Sequence, residues 1–370
     1  MERIKVSGRI MFKELEIENF RGIKKLHIGD LRKVNLLVGR NNSGKTTVLE
    51  SLGLLSQPLI PTAPVTMNAQ RQILIEDENY WESFFYNLSE SEAIKLHARI
   101  SFGEEKEEER ELTVMRYSML VSSLSIEGIE KVSDELLSDS ALQRRGLSYH
   151  LEYGSSVTEK NTIGVKVFRD GDSLKVEPAK TSQNKPQRFN AFFYSAGITH
   201  HRNETVLNAF DEIQVKQQTQ RLIALLRKVE PAIEGLEHVG NSIYVRMAGI
   251  TQLLPLGSVG DGLLKLLTVF LFMSKTANGL ILIDEIDNGL HVSAQEILWK
   301  AVFEAAKEFN VQVFATTHSW ECVGAFANAE GLGQDDTRLF RINKIGEESF
   351  ATDYRRELLQ GAVEENIEVR

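Results

Sequence analysis

The sequence is short of several features that mark specialised classes of protein. Only one of its 370 residues is a cysteine, Cys322, so no disulfide can form within the chain, as is usual for a protein of the reducing cytosol. No apolar run reaches the roughly 20 residues that span a bilayer, and the N-terminus lacks the unbroken apolar segment of a signal peptide. The sequence therefore predicts a cytoplasmic protein that does not enter a membrane.

Positive charge is also scarce. The 43 lysines and arginines face 52 aspartates and glutamates, which gives a formal net charge of −9. No global positive field therefore attracts nucleic acid, although a local basic groove is compatible with this balance. What is present, 42% hydrophobic and 26% charged residues, is ordinary for a globular protein and sufficient for two lobes.

Three zones differ in pattern along the chain. The first reads as strand, strand and helix, the middle is polar with period-two stretches, and in the last zone buried strands alternate with helices. We therefore expect one discontinuous α/β domain from residues 1–58 and 187–370, with an inserted α+β lobe from residues 59–186.

Local patterns add three expectations. Apolar residues recur at helical spacing from Glu204 to Glu234, and a hairpin is predicted around Asp170. The acidic run EEKEEERE, residues 104–111, is interpreted as a solvated loop or helix face rather than a metal or partner site.

One glycine-rich turn carries the strongest chemical signal. Residues 39–46, GRNNSGKT, fit the pattern G-x-x-x-x-G-K-[ST] and stand between a predicted buried strand and a predicted helix. Glycines allow a tight loop whose N–H groups face phosphate oxygens at the positive end of the helix. Lys45 is expected to reach the β- and γ-phosphates and Thr46 to hold Mg²⁺. The predicted nucleotide contacts are Gly39, Arg40, Asn41, Asn42, Ser43, Gly44, Lys45, Thr46 and Thr47.

Two adjacent carboxylates end a second buried strand. LILIDE, residues 280–285, places Asp284 and Glu285 at the carboxyl end of a strand, where ligands bind in open α/β sheets. Asp284 is expected to hold Mg²⁺, and Glu285 to activate water for attack on the γ-phosphate. A strand end that merely reaches solvent is the alternative.

Two further segments are candidates for phosphate contact. His318 ends the next strand, ATTHS, and that position favours a γ-phosphate contact over a purely structural histidine. In LGSVGDGLLKLL, Ser258 and Gly260 stand just before a predicted helix, so their segment is a second anion-binding helix start or else a plain capping loop.

In this order the motifs resemble those of the RecF/SMC-type ABC ATPases, and most of all the overcoming-lysogenization-defect (OLD) branch. The resemblance covers residues 11–58 and 190–320 and implies a P-loop ATPase head with a mixed or parallel central sheet and an antiparallel β subdomain. It also implies ATP with Mg²⁺ as ligands. The segments that carry it are ENFRG, GRNNSGKT, SVGDG, LILIDEIDNGLH and TTHS.

The resemblance further implies that two heads close around ATP. Ser258 and Gly260 would then contact the γ-phosphate bound to the opposing protomer, and His291 falls where the family has its D-loop. A homodimer or higher oligomer is therefore expected, with catalytic roles for Glu285 and His318.

Several features depart from the family or stay open. The family's conserved glutamine has three candidates, Gln57, Gln70 and Gln72, and no long heptad arms are present. The residues after His318 are too few for the Toprim nuclease domain that OLD proteins carry.

Three basic segments each allow a binding role or simple exposure to solvent. Arg21 and Arg40 each either face nucleotide or DNA or are solvated arginines. The pair His200 and His201, followed by Arg202, is read as a solvated loop, since adjacent histidines point apart and no partner has ligand spacing.

Two functions follow from the resemblance. In the first, ATP-driven dimerisation makes the chain a sensor or scaffold for a separately encoded effector, a nuclease or toxin, in bacterial anti-phage defence. In the second, it is a RecF-like repair or maintenance ATPase that binds DNA directly. The acidic net charge favours the protein partner.

Overall fold

The computed structural model describes residues 10–58, 60, 62–89, 91–103, 106–120, 143–155, 160–170, 173–180, 182, 186–187, 190–194 and 204–369. Within these ranges the chain forms a six-stranded sheet, a seven-stranded sheet, a small three-stranded sheet and helices packed against them.

The six-stranded sheet combines strands from both ends of the chain. All neighbouring pairs run parallel except the outermost hairpin, which is antiparallel. Three central strands, Val34–Val38, Gln312–Thr316 and Leu280–Ile283, are buried throughout, which is why most of their residues are apolar. The predicted mixed central sheet is thus confirmed. In spatial order the strands are β16 (Glu348–Tyr354), β15 (Thr337–Ile345), β3 (Val34–Val38), β14 (Gln312–Thr316), β13 (Leu280–Ile283) and β9 (Ala191–Tyr194).

The helices are α1 (Lys45–Ser56), α2 (Ala63–Gln70), α3 (Glu204–Val215), α4 (Thr219–Leu226), α5 (Asp261–Lys275), α6 (Val292–Glu308), α7 (Trp320–Asn328) and α8 (Arg356–Glu364). Among the described residues, none of the helices combines the length and apolar character that crossing a bilayer requires.

The helical spacing predicted from Glu204 to Glu234 overestimates the helix. Two helices occupy the first part, and the chain breaks between them at Gln217, whose φ is 57°. The last residues turn into a strand, because Pro231 disfavours the helical conformation of the residue before it.

The seven-stranded sheet is antiparallel, and the three-stranded sheet shares no strand with it. The predicted hairpin around Asp170 is confirmed by the pairing of its two strands, with the turn residues 171 and 172 outside the described residues. In spatial order the larger sheet contains β2 (Ile23–Ile28), β1 (Ile10–Phe20), β4 (Ile94–Phe102), β5 (Glu107–Leu120), β6 (Gln143–Gly154), β7 (Asn161–Asp170) and β8 (Ser173–Lys180). The small sheet contains β10 (Ile233–Val239), β11 (Ser242–Met247) and β12 (Leu254–Pro255).

The antiparallel sheet crosses the predicted boundary between the head and the inserted lobe. Strands β1 and β2 belong to residues 1–58, whereas β4 to β8 belong to residues 59–186, and β1 pairs directly with β4 over eight residues of register. The division into two domains at residue 58 stays a prediction.

Strand β3 lies between two hydrophobic cores because its side chains alternate. Val34, Leu36 and Val38 pack with helices α5, α6 and α7 on one face. Leu37 packs with helix α1 and the antiparallel sheet on the other. The turn that follows β3 is therefore anchored in both layers.

The acidic run at residues 104–111 is not a solvated loop or helix face, so that interpretation is wrong for its described part. Residues 107–111 lie in β5, where every second side chain points inward. Glu108 and Arg110 take two of these inward positions, and the Arg110 side chain is fully buried. Arg110 donates to Glu108 Oε1 at 2.6 Å and to the carbonyl of Leu55 at 2.7 Å, and also to the carbonyl of Gln187.

Replacing Arg110 with methionine is expected to destabilise the fold by about 3–5 kcal/mol, because the substitution leaves the buried Glu108 carboxylate without its cation. The measurement is urea unfolding followed by circular dichroism. The matched control is Arg99→Met, which removes a half-exposed arginine from an ion pair with Glu14 and should change stability by about 1 kcal/mol or less. Equal effects of the two substitutions would contradict a structural role of the buried pair.

Candidate active site

The turn between β3 and α1 has the backbone conformation that a phosphate-binding loop needs. Gly39 and Gly44 have φ values of 142° and 102°, which side chains rarely allow. A Cβ on Gly39 would lie 2.4 Å from the carbonyl oxygen of Ile342, and one on Gly44 would lie 2.8 Å from Ile23 Cγ1. Both glycines are therefore required, and the loop delivers its amides to the N-terminus of α1.

Lys45 is held inside this turn. Its side chain is almost fully buried, and Nζ donates to the carbonyls of Gly39 at 2.8 Å and Arg40 at 3.0 Å. Burial lowers the pKa of Lys45 to about 8, although the negative charges of Asp284 and Glu285 limit the fall. The ammonium is thus an under-compensated cation at the centre of the loop, as an anion-binding site requires.

Thr46 meets Asp284 across 238 residues of sequence. Its hydroxyl donates to Asp284 Oδ2 at 3.0 Å. The other carboxylate oxygen accepts a hydrogen bond of 2.5 Å from Thr316 on the neighbouring strand. The fold therefore brings together the two side chains that were predicted to hold Mg²⁺.

Glu285 follows Asp284 in an unusual conformation. Its φ is 51°, its side chain is exposed, and its N–H donates to the hydroxyl of Thr316 at 2.8 Å. From the part of the chain that the structure describes, the carboxylate accepts only a long bond, 3.4 Å, from Asn288 Nδ2. A carboxylate that lies at the edge of the site and makes so few hydrogen bonds can accept one from water, as a general base must.

His318 completes this edge of the sheet. Its Nδ1 lies 3.5 Å from Lys45 Nζ, although 273 residues separate them in sequence. Partial burial, and then the nearby Lys45 cation, lower the pKa of His318. The imidazole is therefore mainly neutral at pH 7, so it can donate or accept a hydrogen bond at a phosphate without adding charge.

Ser258 and Gly260 occupy a different, exposed position. The Ser258 hydroxyl donates to the carbonyl of Pro255 at 2.7 Å, within its own turn. Gly260, with φ at 134°, precedes α5, and apart from its chain neighbours no described residue has an atom within 4 Å of where its Cβ would be. The predicted signature segment thus presents an open surface just before a helix N-terminus.

Arg21 is buried, so its interpretation as a solvated arginine is wrong, whereas contact with nucleotide or DNA stays a prediction. Its side chain is 5% exposed, and Nε contacts Glu50 Oε2 at 3.2 Å. Arg71 binds the same carboxylate with two hydrogen bonds, of 2.8 and 3.0 Å. Glu50 is on α1, so the two arginines anchor the helix that follows the glycine-rich turn. Arg40, in contrast, is exposed.

Sequence reasoning missed three residues near the site. Glu50 and Arg71 carry no motif, and only folding brings them together. Lys265, which donates to the backbone of Glu285, did have a signal, because it is a lone charge within the apolar run Leu263–Met273. Burial lowers the pKa of Lys265 to about 8.

The structure assigns no role to the candidate glutamines or to the two adjacent histidines. Gln57 donates to the carbonyl of Ala191 at 3.1 Å, and Gln70 and Gln72 lie at and just after the end of α2. The assignment of the family's glutamine therefore stays open. Residues 200–202, which contain the two adjacent histidines, lie outside the described residues.

The donors at this site fit a nucleotide with Mg²⁺. A threonine hydroxyl and a carboxylate, those of Thr46 and Asp284, are oxygen ligands of the kind that Mg²⁺ takes beside phosphate. Within the described part of the chain, the buried hydroxyl of Ser43 has no hydrogen-bond partner. An unpaired hydroxyl inside a phosphate-binding turn fits a ligand oxygen.

Known structures share this fold. An SMC head bound to the C-winged helix domain of ScpA superposes with a TM-score of 0.51 at 14% identity, covering 94% of this chain and 98% of that chain. A Smc head bound to the C-terminal domain of ScpA, derived from Pyrococcus furiosus, gives a TM-score of 0.50 at 12% identity, covering 97% and 100%. At these identities the likeness shows the fold alone.

Known sequences add two relatives. An ATP/GTP phosphatase of Helicobacter pylori is 23% identical over 330 residues, which cover 85% of this chain and 86% of the relative. The DNA replication and repair protein RecF of Clostridioides difficile is 54% identical over 44 residues, or 12% of each chain. The predicted closeness to the OLD branch stays a prediction.

A family match covers the whole site. The family described as "AAA domain, putative AbiEii toxin, Type IV TA system" matches residues 34–321, from the start of β3 to the first turn of α7. That span contains the glycine-rich turn, both adjacent carboxylates and His318. The chain therefore belongs to this family and is an ATPase that shares the fold of the SMC heads.

Proposed function

We propose that two copies of this chain close face to face around ATP, and that this pairing regulates a separately encoded effector in bacterial anti-phage defence. The observation that carries the proposal is the separation of the site into two parts. Lys45, Thr46, Asp284 and His318 meet at one place, whereas the exposed turn with Ser258 and Gly260 bonds within itself. A second copy supplies the surface that such an open turn lacks.

The residues of one copy divide the chemistry among themselves. Lys45 and the loop amides bind the phosphates, and Thr46 with Asp284 hold Mg²⁺, which supplies charge neutralisation at the phosphates. Glu285 takes the proton of the attacking water as the bond from the γ-phosphorus to ADP breaks, which yields ADP and phosphate. His318 contacts the γ-phosphate as a neutral hydrogen-bonding group.

Two observations support a regulatory role with a partner. The family description names a toxin and a toxin–antitoxin system. The formal net charge of −9 also favours a protein partner over nucleic acid. The proposal places the effector activity, of a nuclease or a toxin, on that second protein.

Light scattering of the purified protein with and without ATP and Mg²⁺ tests the pairing. A doubling of the mass that needs ATP supports it, and an unchanged mass contradicts it. Phage plating on cells that carry the gene in its native operon, against the same operon with Lys45→Ala, tests the defence role. Equal plating on both strains would overturn that role.

DNA binding is the outcome that favours a different function. Tight, ATP-dependent binding of duplex DNA by the protein alone, with a steep loss on raising the salt concentration, would support a RecF-like ATPase instead. The net charge of −9 leads us to expect weak binding at physiological salt.

Replacing Ser258 with arginine should block pairing without affecting ATP binding by the single chain. The bulky cation would occupy the open turn against which the second copy packs, while Lys45 and its loop stay intact. Fluorescent ATP titration should give an unchanged dissociation constant, and the ATP-dependent mass increase should disappear. The control is Ser173→Arg, an exposed position on the edge strand β8. Normal pairing of the Ser258→Arg protein would argue against a shared site.

A further inference from the structure

Lys265 is a buried cation that bonds to backbone rather than to a carboxylate. It lies in the second turn of α5 and is 5% exposed. Its Nζ donates to the carbonyl of Glu285 at 2.6 Å and to the carbonyl of Asn288 at 2.8 Å. Burying an ammonium is costly, so its presence within the apolar stretch Leu263–Met273 needs a specific reason.

The two hydrogen bonds hold the segment that carries the proposed general base. Glu285 has a left-handed φ of 51°, which is unfavourable for a residue with a side chain. Its amide is bound by Thr316 of β14 at 2.8 Å, and its carbonyl is bound by Lys265 of α5. The backbone of Glu285 is therefore fixed from the sheet on one side and from α5 on the other.

A second contact links the same two segments. A Cβ on Gly262, in the first turn of α5, would lie only 2.7 Å from Leu290 Cδ2 and 3.6 Å from the carbonyl of Gly289. The start of α5 thus packs closely on the end of the segment from Glu285 to Leu290. If α5 shifts, the segment must either move with it or lose its hydrogen bonds to Lys265.

Helix α5 begins directly after the exposed turn with Ser258 and Gly260. We propose that Lys265 is a positioning residue, which couples the place of this turn to the backbone of Glu285, so that engagement of the turn sets the orientation of the general base. The inference rests on the proposed function, since it takes Glu285 as the base and the turn as the surface for the second copy.

Substitution of Lys265 with methionine tests the coupling, because methionine keeps most of the apolar stem and removes the donors. We expect the ATPase kcat to fall roughly 10- to 100-fold, as misplaced catalytic groups do. The dissociation constant for ATP should stay within about twofold, because Lys45 and its loop bind the nucleotide. Lys265→Arg retains the charge and donors and should recover part of the loss.

The matched control is Lys275→Met, which makes the same change in the last turn of the same helix. Lys275 is partly exposed and pairs with Glu212 at 3.0 Å, so its loss should leave kcat unchanged. An equal loss of kcat in both variants, or a kcat for Lys265→Met within twofold of the unaltered protein, would overturn the proposal. Loss of ATP binding by Lys265→Met would also overturn it, since that result indicates a general structural defect.

Hydrogen exchange provides a readout that does not depend on catalysis. The amides of Asn288 and Leu290 are bonded within the segment, to the carbonyls of Glu285 and Asp287. Lys265→Met should speed their exchange at least about tenfold and leave the amides of β14 unchanged. Unchanged exchange would refute the coupling even if the protein proved to have no ATPase activity, whereas faster exchange in an inactive protein would refute only the proposed function.

Discussion

A protein with alanine in place of Lys45 is expected to lose ATP binding. The Lys45 ammonium bonds inside the glycine-rich turn, at 2.8 Å from the carbonyl of Gly39 and 3.0 Å from that of Arg40. Removing one partner of a desolvated charge pair costs about 2–5 kcal/mol of binding free energy, which corresponds to a roughly 30- to 5,000-fold increase in the dissociation constant. Isothermal calorimetry or fluorescent ATP titration measures the change.

The alanine variant should fold normally, which separates loss of binding from loss of structure. Burial lowers the pKa of Lys45 to about 8, so the charged side chain is held at a cost in the ligand-free protein. The control is Lys300→Ala on α6, where an exposed ion pair with Glu296 contributes little. Unimpaired ATP binding by the Lys45→Ala protein would refute the assignment of this turn as the phosphate site.

Glutamine in place of Glu285 is expected to give a protein that binds ATP but hydrolyses it very slowly. The amide has nearly the shape of the carboxylate but cannot accept the proton of the attacking water. General base catalysis typically contributes about 10²- to 10⁴-fold, so kcat should fall by that factor while the ATP dissociation constant changes little. Phosphate release under single-turnover conditions measures the chemical step.

The same variant should also accumulate the ATP-bound pair. Since hydrolysis is what separates the two copies in the proposed cycle, stalled hydrolysis should keep the doubled mass for as long as ATP remains. Glu296→Gln, an exposed glutamate on α6, serves as control and should hydrolyse ATP normally. Hydrolysis by Glu285→Gln at the unaltered rate would show that another group activates the water.

The central part of the site could be predicted from sequence because its residues lie at the ends of buried parallel strands. Asp284 and His318 each follow a strand that is buried throughout, and parallel strands bring their carboxyl ends to one edge of a sheet. The glycine-rich turn is a contiguous pattern whose spacing alone specifies a phosphate loop. Distances of 3.0 Å from Thr46 to Asp284 and 3.5 Å from Lys45 to His318 agree with that expectation.

The supporting residues could not be predicted, since their partners are chosen by tertiary packing. Arg21 forms an ion pair with the carboxylate of Glu50 on α1, and nothing in the local sequence of either residue indicates the other. Lys265 likewise binds main-chain carbonyls, and a carbonyl has no signature in sequence.

The error over the acidic run has a different cause. Counting charges at residues 104–111 favours solvent, whereas the alternation of a strand sends Glu108 and Arg110 inward in spite of their charge. Because every residue of the run is charged, its own pattern shows no alternation that would have predicted this. The two inward positions are tolerated because the opposite charges compensate each other in the core.

During translation, β3 is synthesised long before the strands that pair with it. Its two neighbours in the sheet are β14 and β15, which begin at residues 312 and 337. Until these strands have been synthesised, Val34–Val38 has no sheet partner and the turn after it has no fixed base. A nascent chain that stops short of β14 thus holds the entire GRNNSGKT pattern without a site. We therefore expect ATP binding only after β14 and β15 have been synthesised and have paired with β3, nearly 300 residues after the turn itself.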